Sequence, residues 1–219
     1  MRKLQSGRVG PQKAGSVVVF VHGYGADGAD LLGLADPLGP HLPDTAFYAP
    51  DAPEASALNP AGRQWFSIPM MDGTSPAEAQ AGLLRAADDL NGFLDSVLAQ
   101  EGLTPDRLAL CGFSQGTMLS LHVAPRRAQP IAGVVGFSGR LLAPERLAAE
   151  TLSRPPILLA HGDADMVVPF ADMGLAAQGL SAAGFDVTTH VMRGTGHGIS
   201  PDGLSVALDF LRRQMAGQE

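Results

Sequence analysis

Gly112-Phe113-Ser114-Gln115-Gly116 places a serine between two glycines, each two positions away. An apolar run over residues 108–111 leads into it and a helix-like segment over 117–123 follows. G-x-S-x-G between a strand and a helix suits nucleophilic chemistry. A sharp turn pushes one hydroxyl out of the sheet, and the small flanking residues let strand and helix pass without a clash. The backbone N–H of Gln115 then opens a helix N-terminus, where it can stabilise a developing oxyanion. Ser114 is therefore the candidate nucleophile. The competing reading is a glycine-rich turn carrying an ordinary serine, and the rest of the chain has to decide between them.

A serine hydroxyl attacks poorly until a general base takes its proton, and that base needs an acid to orient it. Downstream of Ser114 the run His161-Gly162-Asp163-Ala164-Asp165 follows an apolar segment, and His197 sits in Gly194-Thr195-Gly196-His197-Gly198 ahead of the last helical pattern. Serine, then acid, then histidine is the chain order of one nucleophile-elbow fold in particular. Six histidines compete for the base. His22 and His161 stand at strand ends before glycines, where a bond to loop backbone is expected. His41 and His122 fall in helical or loop surface, and His190 lies inside a strand. Only His197 has both the order and a flexible loop. Asp165 is preferred to Asp163, which lies tight behind the strand and suits the turn itself. Gly136-Phe137-Ser138-Gly139-Arg140 lacks the second glycine and an immediate helix, so Ser138 reads as a structural loop serine near the site.

The elements that must position these residues alternate along the chain. Strands are expected over 16–21, 45–49, 108–111, 131–137, 157–161 and 186–192. Helices are expected over 31–38 (capped by Asp27 or Asp30), 76–100 behind Ser75, 117–123, 171–183 with Gly184 as its stop, and 199–215. Residues 54–75 read as irregular. Such alternation implies an α/β fold with a mostly parallel sheet and helices on both faces, its ligand outside the carboxyl ends of the strands. Three of those ends carry the conspicuous loops His22-Gly23, Ser114 and His161-Gly162. At 219 residues, 45% of them apolar, the chain can close one core, and a single domain over 1–219 is expected. No apolar run approaches the roughly 18 residues of a membrane span, and the polar stretch 4–15 offers no signal-peptide core. Cys111, the single cysteine, sits in a strand as a small apolar residue, so a cytoplasmic location is expected. A net charge of −7 without a basic cluster argues against nucleic acid or anionic membrane as partners. No His or Cys spacing suits a metal, and no cofactor is implied. The sequence is compatible with a homodimer but does not specify one.

Several of these segments together resemble the phospholipase/carboxylesterase family of small α/β-hydrolases, which includes bacterial type II carboxylesterases and acyl-protein thioesterases. The resemblance runs through His22-Gly23-Tyr24-Gly25-Ala26-Asp27, Trp65-Phe66, residues 106–116, Phe137-Ser138-Gly139, His161-Gly162 through Asp165 to Pro169, and Gly196-His197. It implies a single-domain α/β-hydrolase fold with Ser114 as nucleophile, His197 as base and Asp165 as orienting acid. It further implies an oxyanion hole from the backbone N–H groups of Tyr24 and Gln115. Tyr24 stands where similar members often have leucine, a change that touches the shape of the pocket and not the backbone role.

The connection 138–156 has room for one helix at most, so no cap domain is expected over the site. An open groove lined by Tyr24, Trp65, Phe66, Phe137, Met166 and Val167 would suit esters with short to medium acyl chains or aryl groups; Trp65 and Phe66 could equally be core filler. The expected activity is a serine carboxylesterase acting through an acyl-enzyme on small-molecule esters. The alternatives are an acyl-protein thioesterase or lysophospholipase, and a non-catalytic binding module on the same fold.

Overall fold

The computed structural model describes residues 2–216, so Met1 and residues 217–219 of the expected 1–219 domain lie outside the described residues. Among the described residues nine strands form in chain order: β1 (Ser6–Val9), β2 (Ser16–Val21), β3 (Thr45–Pro50), β4 (Glu54–Ala55), β5 (Arg63–Gln64), β6 (Leu108–Phe113), β7 (Gly133–Phe137), β8 (Ile157–Gly162) and β9 (Val187–Met192). In the same described residues eight α-helices accompany them: α1 (Gly28–Leu32), α2 (Ala35–Leu38), α3 (Pro69–Asp72), α4 (Pro76–Glu101), α5 (Gln115–Val123), α6 (Pro144–Glu150), α7 (Ala171–Ala182) and α8 (Pro201–Met215). Seven strands build one sheet in the order β1-β3-β2-β6-β7-β8-β9. Every pairing in it is parallel except β1 with β3. The expected α/β architecture is therefore observed, and the 138–156 connection holds α6 alone, with no cap domain.

The central strands are apolar on both faces because helices cover both. Val17, Val19, Val21, Leu108 and Leu110 pack on one side against Leu90, Leu94, Leu119 and Leu180 of α4, α5 and α7. Val18, Phe20, Ala109 and Cys111 pack on the other against Leu31, Leu38, Phe210 and Leu211 of α1, α2 and α8. Burial pushes the Cys111 thiol up to about 12, which fits its reading as inert filler. The edges differ from the centre. Strand β1 is almost wholly exposed, and its sequence Ser-Gly-Arg-Val carries no apolar signal by which it could have been expected.

Element ends follow local chemistry. Ser75 caps α4 in a reciprocal box with Glu78, Pro76 fills its first turn, and Gly102 ends it in a left-handed conformation at φ 69°. Asp27 caps α1, with Asp30 completing the box, which resolves the two candidates. The single helix expected over 31–38 is two, because the chain turns at Gly33 before α2. Helix α5 begins at Gln115 and not at residue 117, immediately behind the serine. In the stretch read as irregular, β4 and β5 form a small antiparallel ribbon, and Ala26 bridges to Arg63. That ribbon ties the loop after β2 to the 59–66 segment.

Candidate active site

Strand β6 ends at Phe113 and α5 begins at Gln115, which leaves one residue to reverse the chain. Ser114 takes that position at φ 53°, ψ −114°, a strained conformation for a residue with a side chain. Its N–H donates to the Phe137 carbonyl at 2.9 Å, and its carbonyl accepts the Met118 N–H at 3.1 Å. The glycines allow the close crossing this requires. A methyl group on Gly116 would lie 1.8 Å from the Val21 carbonyl oxygen, and one on Gly112 would lie 2.6 Å from the Gly116 backbone. Thr117 locks the crossing, with its hydroxyl 2.8 Å from both the Gly112 and Phe137 carbonyls.

The structure brings Ser114, His197 and Asp165 into one chain of hydrogen bonds. His197 Nδ1 lies 2.7 Å from Asp165 Oδ2, and His197 Nε2 lies 3.0 Å from Ser114 Oγ. A carboxylate accepts, so Nδ1 carries the proton and the Nε2 lone pair faces the serine hydroxyl. Asp165 has a fully buried side chain, and its other oxygen accepts the Val167 and Val168 N–H groups at 2.8 and 2.9 Å. Burial alone would raise this carboxyl. The bond from His197 and the two backbone donors outweigh it and hold the carboxyl below its ordinary value. His161 Nε2 also approaches Asp165 Oδ2, at 3.2 Å, and lies 3.0 Å from the Val168 carbonyl. The histidine loop reaches the sheet over Gly162, where a methyl group would lie 2.2 Å from the Thr195 carbonyl oxygen. Asp163, expected to serve its own turn, instead ties the strand end to the histidine loop, accepting the Gly194 N–H at 2.7 Å.

The loop after β2 stands against the serine: a methyl group on Gly23 would lie 3.4 Å from Ser114 Cβ. The Gly23–Tyr24 peptide is thus on the nucleophile's side of the sheet edge, beside the first turn of α5. His22 is fully buried and bonds backbone at both ring nitrogens, to the Gly23 carbonyl at 2.7 Å and from the Ala52 N–H at 3.0 Å. Burial lowers its pKa, which keeps the ring neutral in this role. His190 meets Asp202 at 2.8 Å, away from the serine. His41 is exposed, as expected. His122, expected on a surface, is buried, because every residue of α5 is; burial pulls its pKa down to about 4.

The expected apolar groove needs correction. Trp65 and Phe137 are fully buried and Phe66 nearly so, each packed into the core of one face of the sheet. Large aromatic rings beside a tightly crossed elbow fill the space behind it rather than line the space in front. Met166 and Val167 are instead 93% and 60% exposed, next to Asp165. Sequence reasoning missed Phe113, whose half-buried ring packs 4.9 Å from the His197 ring. Its place directly before the serine was the available signal. Sequence reasoning also misses the Gln115 side chain, which hydrogen-bonds the backbone of Trp65 and Phe66 in addition to the role expected of its N–H.

Comparison with known proteins agrees with this geometry. The chain is 31% identical over 203 residues to esterase YpfH of Escherichia coli strain K12, covering 91% of this chain and 83% of that esterase. It is 27% identical over 237 residues to acyl-protein thioesterase 1 of Gibberella zeae, covering 97% and 98% of the two chains. The crystal structure of esterase PE8 superimposes with a TM-score of 0.91 at 40% identity, covering 97% of this chain and 99% of that one. The phospholipase/carboxylesterase family model matches residues 8–215. By that match, the chain belongs to the phospholipase/carboxylesterase family.

Proposed function

We propose that the protein is a serine carboxylesterase, with Ser114 as nucleophile, His197 as base and acid, and Asp165 as the residue that orients it. The observation that carries this reading is the 3.0 and 2.7 Å chain from a strained serine through His197 to a buried carboxylate. His197 Nε2 takes the Ser114 proton as Oγ attacks the ester carbonyl, and Asp165 balances the imidazolium that forms. The N–H groups of Gln115 and Tyr24 receive the oxyanion. Neither donates a hydrogen bond to another of the described residues. Collapse of the intermediate passes the proton from His197 to the leaving alcohol. Water, activated by the same nitrogen, then releases the acid from Ser114.

Small esters with short to medium acyl chains or aryl groups suit a site with no cap domain, flanked by Phe113, Met166 and Val167. A series of chromogenic esters of increasing acyl length tests this; rates that climb steadily to the longest chains would exclude it. Ser114→Ala retaining wild-type turnover on a chromogenic acetate ester would end the serine-esterase reading. A second reading, cleavage of acyl thioesters, is supported by the similarity to an acyl-protein thioesterase. Matched oxyester and thioester substrates separate the two by the ratio of their kcat/KM values. The single buried thiol of Cys111 supports a cytoplasmic protein; fractionation of expressing cells checks this, with activity outside the cytoplasm counting against it.

A further inference from the structure

The Gln115 side chain is fully buried behind the nucleophile and makes two bonds to one peptide segment. Its Oε1 accepts the Trp65 N–H at 2.9 Å, and its Nε2 donates to the Phe66 carbonyl at 2.7 Å. Trp65 carries the connection onward. Its indole N–H donates to the His22 carbonyl at 3.0 Å, and its ring lies 5.4 Å from the His22 ring. The same segment is laced to the loop after β2 by Gly25 N–H to the Arg63 carbonyl and Arg63 N–H to the Ala26 carbonyl, both 2.8 Å. Asn59 Nδ2 adds a bond to the Gly25 carbonyl at 2.8 Å. Gly62 packs so close to Gly25 that a methyl group there would lie 2.0 Å from the Gly25 carbonyl oxygen.

We infer that the Gln115 carboxamide is a positioning group that sets the second oxyanion donor: through Trp65 and His22 it fixes the Gly23–Tyr24 peptide relative to the N–H of Gln115 itself. One residue thereby couples both donors. Its backbone supplies the first, and its side chain holds the strap on which the second hangs. A bidentate amide suits this task because it must accept from the N–H of one residue and donate to the carbonyl of the next. A carboxylate can do only the first, and a thioether accepts weakly and cannot donate.

That difference gives the test, which rests on the ester-hydrolase reading above. Gln115→Glu keeps the shape. Ionised, it sets a carboxylate oxygen against the Phe66 carbonyl; protonated, it donates there as the amide does. Burial raises a carboxyl pKa, so the exchange falls in an accessible pH range. The groups that face this side chain are His22 behind Trp65 and His197 across Ser114; Gln115→Met, which adds no charge near either ring, controls for the effect of a new carboxylate on them. Gln115→Glu is expected to lose about 100-fold in kcat at pH 8.5, the scale of a misplaced reacting group, with KM nearly unmoved, and to recover to within several-fold of wild type at pH 6. Gln115→Met, uncharged and unable to bridge, is expected to stay low at both pH values. A flat variant-to-wild-type ratio, equal recovery by Gln115→Met, or a loss confined to KM would overturn the inference.

Far-ultraviolet circular dichroism at each pH separates misplacement from unfolding. Should Gln115→Glu unfold at high pH, Trp65→Phe takes its place, since it keeps both backbone bonds to Gln115 and removes the indole tie to His22 together with part of a buried ring, and circular dichroism again separates that loss of packing from misplacement. It is expected to lower kcat at least tenfold with KM unchanged, and a kcat within threefold of wild type would overturn the inference. Wild type that neither turns over esters nor reacts with a fluorophosphonate would mark failure of the ester-hydrolase reading instead.

Discussion

Two neighbouring strands of the sheet end in the same three residues. Strand β6 closes on Gly112-Phe113-Ser114 and β7 on Gly136-Phe137-Ser138, paired in register glycine to glycine and phenylalanine to phenylalanine. Both serines are buried and both sit at positive φ, 53° and 49°. Yet Ser114 Oγ meets His197, while Ser138 Oγ is buried without a partner among the described residues. Strain and a strand-end position are therefore not enough to make a nucleophile. After Ser114 the chain turns at once into α5, which Gly116 permits, and the hydroxyl is left facing the histidine loop. After Ser138 it runs on through Gly139, where a methyl group would lie 2.4 Å from Thr117 Cβ and 2.9 Å from the Ser114 carbonyl oxygen. The segment around the second serine buttresses the first, through the Phe137 carbonyl and Gly139. The phenylalanines divide the same way: Phe113 is half-buried against His197, and Phe137 is core.

The contrast can be broken experimentally. Ser114→Ala is expected to lower kcat on an acetate ester by at least about 10⁴-fold, whereas Ser138→Ala stays within about tenfold. Comparable losses would show that the two strand ends are not functionally distinct. Asp165→Asn should lower kcat by about 10³- to 10⁴-fold, since the amide no longer holds the imidazole with Nδ1–H toward it. It has a stability signature as well. The Asp165 carboxyl is held below its ordinary value, so it stabilises the fold at pH values above the unfolded carboxyl's titration. That contribution is lost as pH falls through the lowered folded value. Denaturant unfolding should accordingly show wild type and Asp165→Asn furthest apart near neutrality and converging in acid, and a constant gap would contradict this origin.

Smaller effects sharpen the comparison. Gly116→Ala is expected to destabilise by about 3 kcal/mol or more, because the methyl group meets rigid backbone of β2. Gly139→Ala meets Thr117 Cβ at 2.4 Å and backbone only at 2.9 Å, a milder overlap than the 1.8 Å of Gly116, and should lose less; urea midpoints order the two. Ser138→Gly should raise stability by about 0.5–1 kcal/mol, by relieving positive φ and removing a buried, unpaired hydroxyl. A fall in its thermal midpoint would mean that Ser138 Oγ has a partner that matters.

Local and ordered signals in the sequence carried the elbow, the buried strands, the long capped helix α4 and the order of Ser114, Asp165 and His197. Glycine spacing, apolar runs and capping residues act over a few positions, so each is written where it works. Strand β1 and the β4–β5 ribbon left no such mark, since an exposed edge needs no apolar pattern and a two-residue strand exists only through its partner. Only the tertiary structure could decide which aromatic faced the site and which filled the space behind it. Phe113, Phe137, Trp65 and Phe66 are alike in composition, and their burial depends on which backbone crosses beside them. It also decided what the Gln115 side chain does, because its two bonds reach a segment some fifty residues away. Hydrogen bonds of that span are set by how the sheet brings distant loops to one edge, and no local pattern encodes them.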